Sequence, residues 1–219
     1  PRSLPNRPPV AKPTIMDRPH LIIFNPDQWR GDVLGHMANP AAVTPNLDAF
    51  AADEAVSFRH AYCQNPISTP SRCSFMTGWY PHVRGHRTLF HMLHPERGET
   101  NLLQVLKQSG YHVWWAGKND LVPGQDGFEA HCDEHFRPTD EDYQRWGCSP
   151  RTNTHVDLSW RGAPGTPDYY SFYAGELGRD SDGVYCDDDM ANVLGAIDFI
   201  RRAPADRPLC IYLPLTYPH

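Results

Sequence analysis

The chain has 219 residues, of which 40% are hydrophobic and 21% are charged, so it can bury a core and is neither disordered nor fibrous. Its formal net charge of −6 leaves no broad basic field, which argues against nucleic acid as a partner. No apolar run approaches the roughly 20 residues of a membrane helix, so we expect no membrane partner either.

The N-terminal residues 1–19 are rich in proline and lack periodicity, so we interpret them as a flexible leader or an expression remnant. They contain no apolar signal core. This favours a cytoplasmic location, or a periplasmic or secreted one if a signal peptide has been removed. The six cysteines are scattered without a C-x-x-C pair, which indicates reduced, mostly buried thiols.

The first predicted element is a strand. Residues 20–25 form a short apolar run that ends at Pro26, as in a buried parallel strand, and the polar residues Asp27 and Gln28 follow it. Polar groups just beyond the carboxyl end of a strand are where α/β sheets place their functional sites.

The next elements alternate in type. Thr44 is a favourable N-cap for a helix over residues 45–53. Residues 56–62 alternate between apolar and polar side chains and predict a strand. Residues 71–77 predict a second helix, which Gly78 closes.

The rest of the chain continues this rhythm around one long irregular segment. Two further helices and two buried strands are predicted, together with a loop-rich excursion without clear period. In chain order these are a helix near 102–106, a strand over 111–116, the excursion over about 119–182, a helix over 190–200 and a strand over 209–213. The alternation indicates an α/β fold with a large mixed, mostly parallel sheet and helices on both faces.

Ser68 is the first candidate for chemistry, because its hydroxyl lies just before a predicted helix. Unpaired N–H groups and the helix dipole favour negative charge there. An isolated serine at such a position would more often only cap the helix. The neighbouring motifs favour the functional interpretation.

Several segments of the chain resemble motifs of the sulfatase family, in their order and their spacing. The matching segments are residues 44–48, 58–63, 68–72, 76–82 and 117–118. The resemblance implies that residues 20–219 are the N-terminal portion of a sulfatase catalytic domain with an alkaline-phosphatase-like fold. It also implies hydrolysis of a sulfuric ester with the aid of a divalent metal and a formylglycine.

Within this resemblance, Ser68 is the residue that would be oxidised to the catalytic formylglycine. A serine at this position resembles the bacterial subset in which a radical maturase performs the oxidation. An engineered cysteine-to-serine change would look identical. If Ser68 stays unmodified, the alternative is a non-catalytic binding homologue.

Asp27 and Gln28 resemble the metal-binding pair of the family, with Ser68 or its oxidised form nearby. Oxygen ligands suit hard cations, and we expect Ca²⁺, with Mg²⁺ or Mn²⁺ as alternatives. Many sulfatases carry two aspartates here. The neutral Gln28 also resembles phosphonate monoester hydrolases and choline-sulfatase-like members, so hydrolysis of a phosphonate monoester or a phosphodiester is the alternative activity. Without the other motifs, Asp27 would be a turn-capping carboxylate.

Three further positions match residues that bind the ester group in the family. Arg72 would orient the formylglycine, Lys118 would bind ester oxygens, and His219 matches a Pro-His histidine of the substrate site. The family usually carries a histidine two residues after this lysine. Asp120 stands there instead and is predicted to contact substrate.

Two histidines, His86 and His91, are additional substrate-binding candidates, although structural or surface roles are equally compatible with the residues. The acidic residues 187–189 are interpreted as the first turn of the following helix rather than as metal ligands.

The expected partner is a sulfate ester of a small molecule or a carbohydrate. Asp27 and Gln28 alone would bind a hard dication weakly. We therefore expect a C-terminal segment of the same enzyme to supply a carboxylate and to cover an exposed sheet face. A homo-oligomer is compatible with the sequence.

Overall fold

The structure is a computed structural model that describes residues 18–123, 127–150, 163–166 and 187–218. Its strands form one sheet in the order β1-β4-β2-β3, and every neighbouring pair is parallel. The strands are β1 (Leu21–Asn25), β2 (His112–Ala116), β3 (Glu134–Phe136) and β4 (Leu209–Pro214).

Helices connect these strands in the described part of the chain. They are α1 (Pro45–Asp53), α2 (Ser68–Thr77), α3 (Pro81–Arg84), α4 (Leu102–Gln108), α5 (Asp140–Trp146) and α6 (Asp188–Arg202). Short 3-10 turns occupy Gly35–Met37, Pro95–Arg97 and Phe128–Ala130. None of the described helices is long and apolar enough to cross a membrane.

The central strands β2 and β4 separate two apolar clusters, because successive side chains of a strand point to opposite faces. Trp115 packs in the cluster that includes residues of α2 and α4, whereas Trp114 packs in the cluster that includes residues of α6. Burial of such a side chain contributes about 2–3 kcal/mol each. The predicted α/β architecture with helices on both faces is confirmed.

The predicted strand over 56–62 is wrong. The structure shows these residues as irregular chain, with Val56, Phe58 and Tyr62 largely exposed. Alternation supports a strand only where a neighbouring backbone completes its hydrogen bonds, and no described strand lies beside this segment.

Two boundaries also differ from the prediction. Helix α2 begins at Ser68, earlier than expected, because Pro70 falls in the first turn, where an amide hydrogen has no acceptor within the helix. The excursion over about 119–182 contains β3 and α5 in its described part. Helix α5 has only 7 residues and depends on a capping box at Thr139, so it leaves little periodicity to detect.

The cysteines agree with the prediction where they are described. None of them forms a disulfide, and all but the exposed Cys63 are buried: Cys73, Cys132, Cys148 and Cys210. The remaining cysteine, Cys186, lies outside the described residues, as do residues 1–17 of the predicted leader.

The carboxyl ends of the three longest strands meet at one edge of the sheet and are tied together. Lys118 N donates to Pro214 O over 2.8 Å, and Asp27 N donates to Tyr217 O over 2.9 Å. In the first turn of α6, the carboxylate of Asp189 accepts hydrogen bonds from the amides of Thr216 and Tyr217. The chain segments that leave these strands therefore have fixed positions.

Gly117 makes the close approach between β2 and β4 possible. Its φ is +91°, and an added Cβ would lie 2.1 Å from Pro214 O. A side chain would therefore push apart the segments that carry Lys118 and Leu215.

Gly117→Ala is expected to lower the free energy of unfolding by about 3 kcal/mol or more, because the left-handed φ and the backbone clash both oppose it. Gly98→Ala is the matched control, since Gly98 has a φ of +70° but nothing within 4 Å of its added Cβ. The control should lose only about 1 kcal/mol. Chemical denaturation measures both, and equal losses would show that the contact with Pro214 does not constrain the fold.

Candidate active site

Residues from three separate parts of the chain meet at the carboxyl edge of the sheet. Asp27 follows β1, Lys118 and Asp120 follow β2, and Ser68 and Arg72 lie on α2. These five residues were all predicted as site residues, and the structure brings them together.

The hydroxyl of Ser68 is the group at the centre of this cluster. Ser68 Oγ lies 3.2 Å from both carboxylate oxygens of Asp27 and donates its hydrogen to that carboxylate. Lys118 Nζ lies 3.5 Å from the same hydroxyl oxygen. Ser68 is the first residue of α2, so the positive end of the helix dipole also faces this oxygen.

The charged side chains form a closed ring of alternating sign, which we call the charge ring: Asp27, Lys118, Asp120 and Arg72. Lys118 Nζ donates to Asp27 and lies 3.1 Å from Asp120 Oδ2. Arg72 lies 3.6 Å from Asp27 Oδ2 and 3.7 Å from Asp120 Oδ2. Each carboxylate therefore contacts both cations, and each cation contacts both carboxylates.

The charge ring is largely buried, and its charges shift the pKa of Asp27. Burial acts to raise the pKa of Asp27, but the Lys118 ammonium, the Arg72 guanidinium and the Ser68 hydroxyl outweigh it and hold the pKa below its usual value. Asp27 is therefore a carboxylate at neutral pH, able to accept a hydrogen bond or to ligate a cation.

Tyr212 contacts the Arg72 side chain of the charge ring. It was not among the predicted site residues. Its hydroxyl accepts a hydrogen bond of 3.5 Å from Arg72 Nη1. Burial raises the pKa of Tyr212, although Arg72 counteracts this, so the phenol stays protonated. The only sequence signal was a polar hydroxyl within the apolar run of β4, and such a group needs a buried partner.

A cleft of about 640 Å³ opens beside the Ser68 hydroxyl. Asp27, Gln28, Ser68 and Arg72 give it one polar wall. The other walls are mainly apolar, with Phe24, Trp29, Leu34, Leu47, Ile67 and Phe75. Such a cleft can hold the organic part of a ligand next to an anionic group bound at the ring.

A hard divalent cation fits this site only in part. Asp27 offers a buried carboxylate, and Gln28, which itself has a left-handed φ of +53°, lines the same cleft. Within the described ranges there is no group of three or more His, Cys, Asp or Glu side chains that could hold a metal. A complete shell of six or more oxygens would need further donors.

None of the three predicted site histidines has a described contact with the charge ring. His86 is buried, with Nδ1 2.5 Å from His91 O and Nε2 3.3 Å from Glu99 Oε1, so its described contacts are structural. His91 is exposed. His219 lies outside the described residues, and its catalytic role stays a prediction.

The acidic residues 187–189 lie at the N-terminus of α6, as the sequence indicated. Asp187 is the N-cap and accepts hydrogen bonds from the amides of Asp189 and Met190. Asp189 in turn binds the amides that follow β4. These carboxylates hold the helix and the strand exit in place.

Comparison with known proteins identifies the relatives of this chain. The family model described as Sulfatase matches residues 19–219. The chain is 37% identical to an ulvan-active sulfatase of Formosa agariphila over 101 residues, and this alignment covers 46% of the chain and 19% of that protein. It is 24% identical to an arylsulfatase of Clostridium perfringens over 220 aligned positions, and this alignment covers 92% of the chain and 44% of that protein.

Solved structures share the same fold. One with k-i-k-neocarrahexaose bound matches with a TM-score of 0.61 at 21% identity, over 92% of this chain and 45% of that chain. This chain thus spans less than half the length of each of these three proteins.

Proposed function

Because this chain belongs to the sulfatase family, we propose that the protein hydrolyses a sulfuric ester at the site around Ser68. The observation that carries the proposal is the position of the Ser68 hydroxyl, 3.2 Å from both oxygens of Asp27 and beside the Lys118 ammonium. A reactive oxygen is thus held between a proton acceptor and cations that suit an anionic ester.

Ser68 would act after oxidation to formylglycine. The conversion of its CH₂OH group to an aldehyde removes two protons and two electrons, so it requires an oxidising maturation enzyme outside this chain. When hydrated, the aldehyde would supply one hydroxyl that loses its proton and attacks sulfur, while the S–O bond to the alcohol breaks and the alcohol leaves with a proton. The second hydroxyl would then lose its proton, so that the C–O bond to sulfate breaks, sulfate leaves and the aldehyde is restored. A plain serine has only one oxygen and would stall as a covalent ester.

The residues of the charge ring have separate tasks in this proposal. Arg72 and Lys118 bind the ester oxygens and stabilise negative charge that develops during the reaction. Asp27 accepts the hydrogen bond that orients the oxygen on residue 68. The burial of Arg72, of which only 3% of the side chain is exposed, limits competition from water.

The same site would hold a divalent cation, with Ca²⁺ as the first candidate. Asp27 and Gln28 would ligate it together with the oxygen on residue 68. When bound, such a cation lowers the pKa of a coordinated hydroxyl and neutralises charge. Because the described donors are too few, we propose that a C-terminal segment of the whole enzyme contributes at least one more carboxylate.

We propose a sulfated carbohydrate as the substrate class. The cleft combines a polar end, which includes Arg72, with aromatic walls that include Trp29 and Phe75, and aromatic rings pack against sugar faces. The relative from Formosa agariphila is named as ulvan-active, and a solved structure with the same fold holds k-i-k-neocarrahexaose. His219, His86 and His91 remain candidates for contacts with this substrate.

A phosphonate monoester or a phosphodiester is the alternative substrate, and the neutral Gln28 favours it. The Asp27-Gln28 pair resembles that of phosphonate monoester hydrolases, whereas many sulfatases carry two aspartates there. Turnover of an aryl sulfate and of an aryl phosphodiester, compared in one preparation with one metal loading, separates the two activities. A higher kcat/KM for the phosphodiester would overturn the sulfuric ester as the main substrate.

The state of Ser68 gives the most direct test. Mass spectrometry of the peptide that contains residues 68–74 should show a mass lower by two hydrogen atoms, and fragment ions should assign the loss to Ser68 rather than Ser71 or Ser74. Ser68→Ala should then lower kcat by about a thousandfold or more. An unmodified Ser68 in active protein would overturn the formylglycine mechanism, and in inactive protein it would support a binding homologue.

Asp27→Asn should weaken Ca²⁺ binding by about a hundredfold, because it replaces the buried anionic ligand with a neutral one. Isothermal titration calorimetry on the metal-free whole protein measures this. Asp32→Asn is the matched control, since Asp32 is exposed and pairs with Arg30 rather than with the charge ring. Full Ca²⁺ binding by Asp27→Asn would remove the metal assignment.

Lys118→Met should lower kcat/KM by about a hundredfold or more while it lowers the free energy of unfolding by only about 1–2 kcal/mol, because Arg72 still forms an ion pair with each carboxylate. Lys107→Met is the contrasting control. Lys107 donates to Glu129 O and Cys132 O rather than to a residue of the charge ring, so its loss should affect stability but not turnover. A Lys118 variant that loses stability and activity in proportion would indicate a structural lysine.

A further inference from the structure

Asp120 is the member of the charge ring whose task the proposed hydrolysis leaves open. Its ion pairs in the described structure are with the two cations, Arg72 and Lys118. We propose that Asp120 sets the charge preference of the site, so that it binds singly charged esters and disfavours doubly charged tetrahedral anions. This inference rests on the proposed function, because it concerns the same anion site.

The first argument is the charge balance. Asp27 and Asp120 contribute two negative charges, and Arg72 and Lys118 contribute two positive charges, so the formal charges of the ring cancel. Without Asp120 the ring would carry a net charge of +1. Asp120 therefore cancels the single positive charge that the two cations would otherwise present in excess of Asp27.

The second argument is that Asp120 acts through its charge. Its Oδ2 lies 3.1 Å from Lys118 Nζ, yet no described group gives this atom an aligned hydrogen bond. The side chain is only 13% exposed, so water and salt screen its field weakly. An anion bound by Arg72 and Lys118 would thus experience repulsion from Asp120 at short range.

The third argument concerns the ligands. A sulfate monoester carries one negative charge, whereas inorganic sulfate, the product of its hydrolysis, carries two at neutral pH. Coulomb energy is proportional to ligand charge, so Asp120 opposes the dianion about twice as strongly, in free energy, as the monoanion. The residue would favour release of the product and would exclude dianionic phosphate monoesters.

Measurements of anion binding test the proposed role of Asp120 and do not depend on catalytic activity. The whole protein, saturated with Ca²⁺ and carrying Ser68→Ala, is titrated calorimetrically with inorganic sulfate and with methyl sulfate. Asp120→Asn should tighten methyl sulfate binding about fivefold and inorganic sulfate binding about 25-fold, the square of the first factor. Asp120→Ser is a second neutral variant in case the asparagine disturbs folding.

Two controls isolate the local charge. Asp120→Glu retains the charge and should keep the ratio of the two dissociation constants near that of the parent protein. Asp206→Asn removes one exposed carboxylate from the turn before β4, at the opposite edge of the sheet, and should alter neither constant.

The outcomes separate this inference from the proposed function. If both anions bind and neutral variants change both affinities by the same factor, or do not change them, the inference about Asp120 is wrong while the anion site stands. If neither anion binds to any variant, the anion site of the proposed function fails, and this inference fails with it.

Discussion

The structure of the site depends on the need to neutralise one buried carboxylate. Asp27 is 6% exposed, and an isolated charge at that depth would be protonated or would destabilise the fold. Lys118 and Arg72 prevent this, but each brings a positive charge of its own. Asp120 balances the second cation and closes the ring. The reactive hydroxyl of Ser68 is held in place because Asp27 remains ionised and can accept its hydrogen bond.

The parallel sheet makes this arrangement possible with residues far apart in sequence. Strands β1, β2 and β4 all end at the same edge, so the residues that directly follow β1 and β2 meet there although many residues separate them in the chain. The amide of Lys118 is fixed on Pro214, which requires glycine at the preceding position. Buried Asp189 holds the exit of β4 in the same way. Backbone contacts thus hold the chain segment that carries the Lys118 side chain.

The sequence predicted the parts of the molecule that follow from local patterns. Apolar runs identified β1, β2 and β4, and an apolar periodic face identified α6, because one buried face or strand produces a repeating signal over several residues. Residues 56–62 carried the same kind of signal and form no strand, since alternation does not reveal whether a neighbouring backbone is present. Helix α5 and strand β3 were missed because elements of 7 and 3 residues give too few repeats.

The site was predictable as a set of residues but not as an arrangement. Ser68, Arg72 and Lys118 could be identified because their motifs are short and local. The contacts of Asp120 with Arg72 join residues 48 positions apart, and those of Arg72 with Tyr212 join residues 140 apart, so no local pattern encodes them. The charge of a site is a property of such pairs. Asp120 looked like a departure from a motif in the sequence, whereas in the structure it is the residue that makes the charges of two cations and two carboxylates cancel.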